Sequence, residues 1–224
     1  MDNNIVFFYQ MPRECFFFLK LFRFFYKFTE LKKNLTTSIM GINLVKGGNA
    51  AIGSIQNFVV GMGWDTNETD SGATFDLDAS AFMLNANNKV LSERHFVFYN
   101  NLKSPEGCVE HTGDNLTGEG DGDDESIKVD LSKLPAGCEK ITFVVTIHDA
   151  EFKRQNFGQV RNAFVRIYDP TTNEEILNYD LGEDFSIETA VEFGELYKKE
   201  GEWKFKAIGT GFAGGLQKFV DKYC

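Results

Sequence analysis

Residues 74–84 read TFDLDASAFML, and the alternation in that run decides the fold. Phe75, Leu77, Ala79 and Ala81 alternate with Asp76, Asp78 and Ser80, so one face of an extended segment is apolar and the other carries two carboxylates. A helical period would spread both sets around the surface. The same period of two recurs from Gly41 onward in short runs closed by Gly, Asn, Asp or Pro. It predicts strands over residues 42–45, 57–61, 74–84, 95–99, 126–131, 140–147, 163–168, 175–181, 189–197 and 203–208. Asn87-Asn88, Pro135-Ala136-Gly137, Asp169-Pro170 and Glu200-Gly201 supply turns between them, through a fixed φ or a tolerated positive one. Helical patterns are confined to 152–157 and to the tail 215–222, where Leu216, Phe219 and Val220 share a face suited to packing on a sheet. The expected fold is all-β: a two-sheet β-sandwich with one or two short helices.

Asp76 and Asp78 are like charges two residues apart, a costly arrangement unless a cation pairs them. A second acidic element lies downstream. Residues 114–125, DNLTGEGDGDDE, hold six carboxylates and three glycines in twelve positions. Carboxylates about 4 to 6 Å apart repel by on the order of 1 kcal/mol per pair in water, so a bound cation would turn that strain into affinity. Gly118, Gly120 and Gly122 let the backbone turn tightly and aim carbonyl oxygens inward. Hard oxygen donors on such a loop suit calcium. Magnesium demands a stricter octahedron, and zinc would call for His or Cys, which the run lacks. The alternatives are a solvent-facing sheet edge at Asp76 and Asp78 and a solvated acidic turn at 114–125. An EF-hand is excluded, because Asp124 stands where its glycine should be and strands flank the run. Asp65, at the end of an earlier strand, is placed to join the cluster across a turn.

At 224 residues the chain has room for one large domain, or a domain with an appendage. Residues 1–39 carry six bases and three acids, a balance of +3, and the total of −10 therefore leaves −13 on 40–224. So acidic a body is a poor match for nucleic acid or anionic lipid and a good one for cations. Cys15, Cys108, Cys138 and Cys224 form no CxxC pair, which fits reduced thiols and a cytoplasmic location; Cys108 and Cys138 are a candidate pair only in a secreted protein.

The first 39 residues differ from the rest. Nine of the 23 phenylalanines fall before residue 29, in a stretch that includes CFFFLKLFRFFYKF at 15–28. Lys20, Arg23 and Lys27 interrupt it too often for a membrane span of roughly 18 apolar residues. On a helix they form one basic stripe suited to a membrane surface, so membrane contact is expected only if this segment is translated. The strand-like start GINLVKGG directly after Met40 favours reading 1–39 as an over-extended frame, with 40–224 as the functional domain.

Five separated motifs then fall in one order: KGGN at 46–49, GMGWD at 61–65, FDLDASAF at 75–82, GDNLTGEGDGDDE at 113–125 and GTGFAGGL at 209–216. Together they resemble the TerD family of tellurium-resistance, calcium-binding stress proteins, over residues 40–224. The resemblance implies a β-sandwich that binds calcium, two ions close together, as a binding or scaffold module in a stress response linked to tellurite. Other stress or tellurite-resistance proteins are the implied partners. Carried over residue by residue, the calcium ligands are Asp76, Asp78, Asp114, Asn115, Gly118, Glu119, Asp121, Asp123, Asp124 and Glu125. Spacing does not say which of the later acids ligate, and the match implies no reaction.

Other signals have plainer readings. GTGFAG at 209–214 fits GxGxxG, but only ten residues follow it, too few for a second parallel strand or a ribose-binding acid. His148-Asp149 ends an apolar strand, where neighbours point to opposite faces, and reads as a turn more readily than as a proton-sharing pair. His95 and His111 have no sequence partner, and no nucleophile elbow or phosphate-cradling loop stands out. The competing function is a metal-dependent hydrolase, in which clustered carboxylates hold two ions that activate water.

Overall fold

The computed structural model describes residues 41–65, 75–113, 123–181, 185 and 187–224. They fold into twelve strands in two six-stranded sheets. The first sheet runs β1 (Ile42–Leu44), β10 (Glu175–Asp180), β9 (Arg161–Tyr168), β3 (Asn57–Asp65), β7 (Glu125–Asp130) and β6 (Val109–His111). The second runs β2 (Asn49–Ala51), β12 (Glu202–Phe212), β11 (Ala190–Lys199), β8 (Lys140–Ile147), β4 (Leu77–Leu84) and β5 (Phe96–Val97). Every pairing is antiparallel except β1 with β10. The expected all-β sandwich is the fold, and two helices accompany it: α1 (Ala150–Lys153) and α2 (Gly215–Tyr223).

The period of two sets which side chains enter the core. Leu77, Ala79, Ala81 and Met83 of β4 meet Ile127 and Val129 of β7 and Val60 and Met62 of β3 between the sheets. The opposite face of β4 is also covered, because α2 lays Phe219 and Tyr223 on Phe82, Leu84, Phe96 and Val144. Phe96 stacks on Phe82 at 4.2 Å and on Phe98 at 4.3 Å, which extends this second apolar layer across the outer face. All eight residues of β4 are consequently buried.

Several boundaries differ from the sequence reading, each for a local reason. β3 continues past Gly61 to Asp65, because β7 and β9 pair with it on both sides. The segment read as a strand at 95–99 is a 3-10 turn at Glu93–His95 followed by the two-residue β5; Asn101 then turns the chain by bonding Phe98 through the backbone and Phe96 through its side chain. β2 and β6 fall outside the strands read from the sequence; each is a three-residue segment that pairs on the edge of a longer neighbour, β12 or β7. The helix read at 152–157 stops at Lys153, where Arg154 takes a positive φ of 54°.

Candidate metal centre

The strand directions bring several chain segments to one end of the sandwich. β4 begins there, β8 ends there, and the His148 amide bonds the Asp76 carbonyl at 2.8 Å, which carries their ladder one step further. Asp76 and Asp78 share the face opposite Leu77, yet they are only 8% and 4% exposed. That burial excludes the solvent-facing edge considered above. Lys153, from α1, places its ammonium 3.7 Å from Asp76 Oδ2, and His148 Nδ1 lies 3.4 Å from Asp78 Oδ2. The other ring nitrogen of His148 is 3.7 Å from Asp149. A cleft of about 550 Å³ opens beside Asp78, bordered by Thr146, His148, Glu151, Thr189 and Gln217.

The acidic run re-enters the described chain at Asp123, and its last three carboxylates go to three different strands. Asp123 receives both arms of Arg166 on β9, Nε at 2.7 Å and a terminal nitrogen at 3.1 Å. Asp124 accepts the Trp64 amide at 2.9 Å, while its own amide bonds the Met62 carbonyl at 2.7 Å. Burial raises the Asp124 pKa against the pull of that amide bond, with smaller upward contributions from Asp123 and Asp65. Glu125 turns inward and accepts the Ala79 amide of β4 at 2.5 Å. β5 pairs only with Ala81 and Phe82, so Glu125 satisfies an amide on the stretch of β4 that β5 leaves uncovered. His111 Nε2 stands 3.4 Å from the same Glu125 oxygen, and both side chains are fully buried. Gly113 donates its amide to His111 Nδ1, which assigns the ring proton to Nε2, facing Glu125.

Of the ten ligand candidates, the structure thus places Asp76, Asp78 and Glu125 at one end of the sandwich, with Asp123 and Asp124 on the neighbouring strand ends. Asp114, Asn115, Gly118, Glu119 and Asp121 lie outside the described residues. Asp65 accepts the Asn162 side chain at 2.5 Å, and its charge is felt at Asp124. Among the described residues, no three His, Cys, Asp or Glu side chains are grouped to hold a metal ion. Asp76 and Asp78 are hard oxygen donors of the kind that calcium and magnesium take. Lys153, Arg166 and the amides of Trp64 and Ala79 were missed by sequence reasoning, because each reaches its acid across more than forty positions.

Cys108, Cys138 and Cys224 are free thiols. No described helix is long and apolar enough to cross a membrane. Fold and site together define a β-sandwich protein that concentrates carboxylates at one end.

Comparison with known proteins identifies the family. Residues 40–223 match the family model of the TerD domain. General stress protein 16U of Bacillus subtilis (strain 168) is 55% identical over 188 residues, covering 82% of this chain and 97% of that protein. Tellurium resistance protein TerD of Alcaligenes sp is also 55% identical, with the same coverage of both chains. A solved structure of a homologue of telluride resistance protein (TerD) from Streptomyces coelicolor A3(2) superposes with a TM-score of 0.61 at 23% identity, covering 74% of this chain and 95% of that one, and so shares the fold. The chain belongs to the TerD family, the family of tellurium-resistance and general stress proteins.

Proposed function

We propose that this protein binds calcium at the acidic end of the sandwich and acts as a binding or scaffold module in a cytoplasmic stress response, including resistance to tellurite. One observation carries the reading: Asp76 and Asp78 lie buried side by side at the end of the sandwich where the acidic run returns to the described chain at Asp123. Burying two neighbouring carboxylates favours positive charge beside them, and a divalent ion would add to what Lys153 brings 3.7 Å from Asp76 and His148 3.4 Å from Asp78. Asp76 and Asp78 would hold the ion from the strand, and Asp114, Asn115, Gly118, Glu119 and Asp121 are the further donors. A bound calcium would supply charge neutralisation and a fixed geometry at the loop. Relatives named for general stress and tellurium resistance support the cellular role, and free thiols at 108, 138 and 224 suit a reducing compartment. Partners are expected among other stress and tellurite-resistance proteins.

Calorimetric titration of calcium into the wild-type protein and into Asp78→Ala tests the reading. Heat release and thermal stabilisation are expected for the wild type and not for the variant; a wild type that gives neither would end the proposal. The hydrolase alternative has one observation in its favour, a 41% exposed His148 set between Asp78 and Asp149 beside the cleft. Turnover of p-nitrophenyl phosphate that depends on both calcium and His148 would select it.

A further inference from the structure

GMGWD at 61–65 holds Asp124 through Met62 and Trp64, and its first glycine faces the neighbouring Asp123. In β3, Gly61 is paired with Arg166 of β9 on one side and with Ser126 of β7 on the other. The Arg166 fork therefore reaches toward β7 across a strand position that carries no side chain. The Asp123 carboxylate occupies that space: a Cβ on Gly61 would stand 2.2 to 2.5 Å from its three atoms, closer than any real contact. Asp123 is 9% exposed, both its oxygens are held by the guanidinium, and the Arg166 side chain is 28% exposed. The Tyr168 ring centre lies 4.8 Å from the Arg166 guanidinium carbon, a cation–π contact that helps to hold it.

We infer that Arg166 is a positioning residue for cation binding: it seats Asp123 on Gly61, fixes the end of the acidic run to the sheet, and leaves Asp123 as an anchor and not a ligand. The inference rests on the calcium reading above and assigns roles within it. A guanidinium on the acidic run opposes cation binding by charge alone, so whatever Arg166 contributes to binding must be geometric. Its planar two-pronged donor set supplies one, because it fixes the carboxylate in direction as well as position.

The two effects predict opposite signs, which makes the inference testable. Arg166→Lys keeps the charge and loses the fork; Gly61→Ala keeps both charges and blocks the seat; Asp123→Asn removes the anchoring charge. Calcium binding to the full chain is measured by calorimetry at 25 °C, and unfolding midpoints are measured in chelator. The expected result is that Arg166→Lys and Gly61→Ala each weaken calcium binding by about tenfold, as loss of an outer-shell partner does, with the number of bound ions unchanged. Adding Asp123→Asn to Arg166→Lys should weaken it little further, since both disrupt one anchor. If Asp123→Asn removes an ion, or weakens binding as strongly in the Arg166→Lys background as alone, Asp123 is a ligand and the inference fails. It fails equally if Arg166→Lys lowers only the unfolding midpoint in chelator and leaves calcium affinity unchanged, which is the mark of a purely structural contact. A wild type without calcium heat would instead overturn the calcium reading, and this assignment with it.

Discussion

Glu125 accepts the backbone amide of Ala79 at 2.5 Å, which joins the first residue of β7 in one sheet to β4 in the other. The contact links the two acidic motifs of the sequence, since Ala79 follows Asp78 and Glu125 ends the run from Asp114. It also engages a carboxylate oxygen that the ligand assignment had offered to an ion.

Glu125→Ala should therefore destabilise the calcium-free protein by about 2 kcal/mol, because the Ala79 amide would lose its acceptor in a buried place. Chemical denaturation in chelator measures this. A variant that loses calcium affinity at unchanged calcium-free stability would show Glu125 to be a ligand foremost.

Asp78→Asn tests the other half of the centre. In chelator it should unfold no earlier than the wild type, because it removes one of two neighbouring buried charges. With calcium at a hundred times the Kd, the wild type should gain about 2.7 kcal/mol from ligation, and the variant much less. Thermal scans with and without calcium compare the two; equal calcium shifts would remove Asp78 from the site.

The thiols should separate by reactivity. Burial pushes the Cys138 thiol up to about 12, and Cys108 is also raised, chiefly by burial. Only about one part in ten thousand of Cys138 is then thiolate at pH 8, whereas Cys224 is exposed at the chain end. Reaction with a disulfide reagent under native conditions should label Cys224 long before Cys108 or Cys138. Prompt labelling at Cys138 would contradict its burial.

How much of this was legible in the sequence depends on how far each contact spans. β4 and β8 are eight residues each, long enough for their alternation to show, and their pairing follows from the apolar faces. β2 and β6 are three residues each and exist because longer neighbours, β12 and β7, offer them an edge. The DLD pair was visible as two like charges on one face, but its burial was not, because α1 and His148 arrive from some seventy positions downstream. Arg166 was invisible for a related reason: a lone arginine in a strand carries no pattern, and its partner lies 43 residues away. GMGWD was recognisable as a motif, and its steric meaning appeared only when Asp123 was found in the space above Gly61.

Gly194 offers a packing test away from the centre. It lies where β11 shifts register against β8 and β12, and a Cβ there would meet the Phe205 ring at 2.2 Å. Phe205 is fully buried against Phe143, so the ring has little room to withdraw. Gly194→Ala should cost about 1 to 3 kcal/mol by overpacking, read from denaturant midpoints. An unchanged midpoint would mean that the ring can move aside.

The clasp that holds α2 on the sheet predicts a response to alkaline pH. Glu192 is 6% exposed on β11, and it accepts the Tyr223 hydroxyl at 2.8 Å and the Lys222 ammonium at 2.6 Å. Burial, followed by the charge of Glu192 and its hydrogen bond, holds the Tyr223 phenol well above its ordinary pKa. Above pH 10 or so an unfolded tyrosine sheds its proton while the folded one keeps it, so the folded state binds more protons and loses stability as pH rises. The stabilisation is complete below that point and falls by up to about 1.4 kcal/mol per pH unit above it. Tyr223→Phe should cost about 1 kcal/mol at pH 7 and flatten the alkaline decline. Glu192→Ala should cost more at neutral pH, about 2 to 3 kcal/mol, because it leaves a buried hydroxyl and an ammonium without their shared acceptor. Denaturation curves from pH 7 to 11 measure both, and a wild-type decline that Tyr223→Phe leaves unaltered would place the titrating group elsewhere.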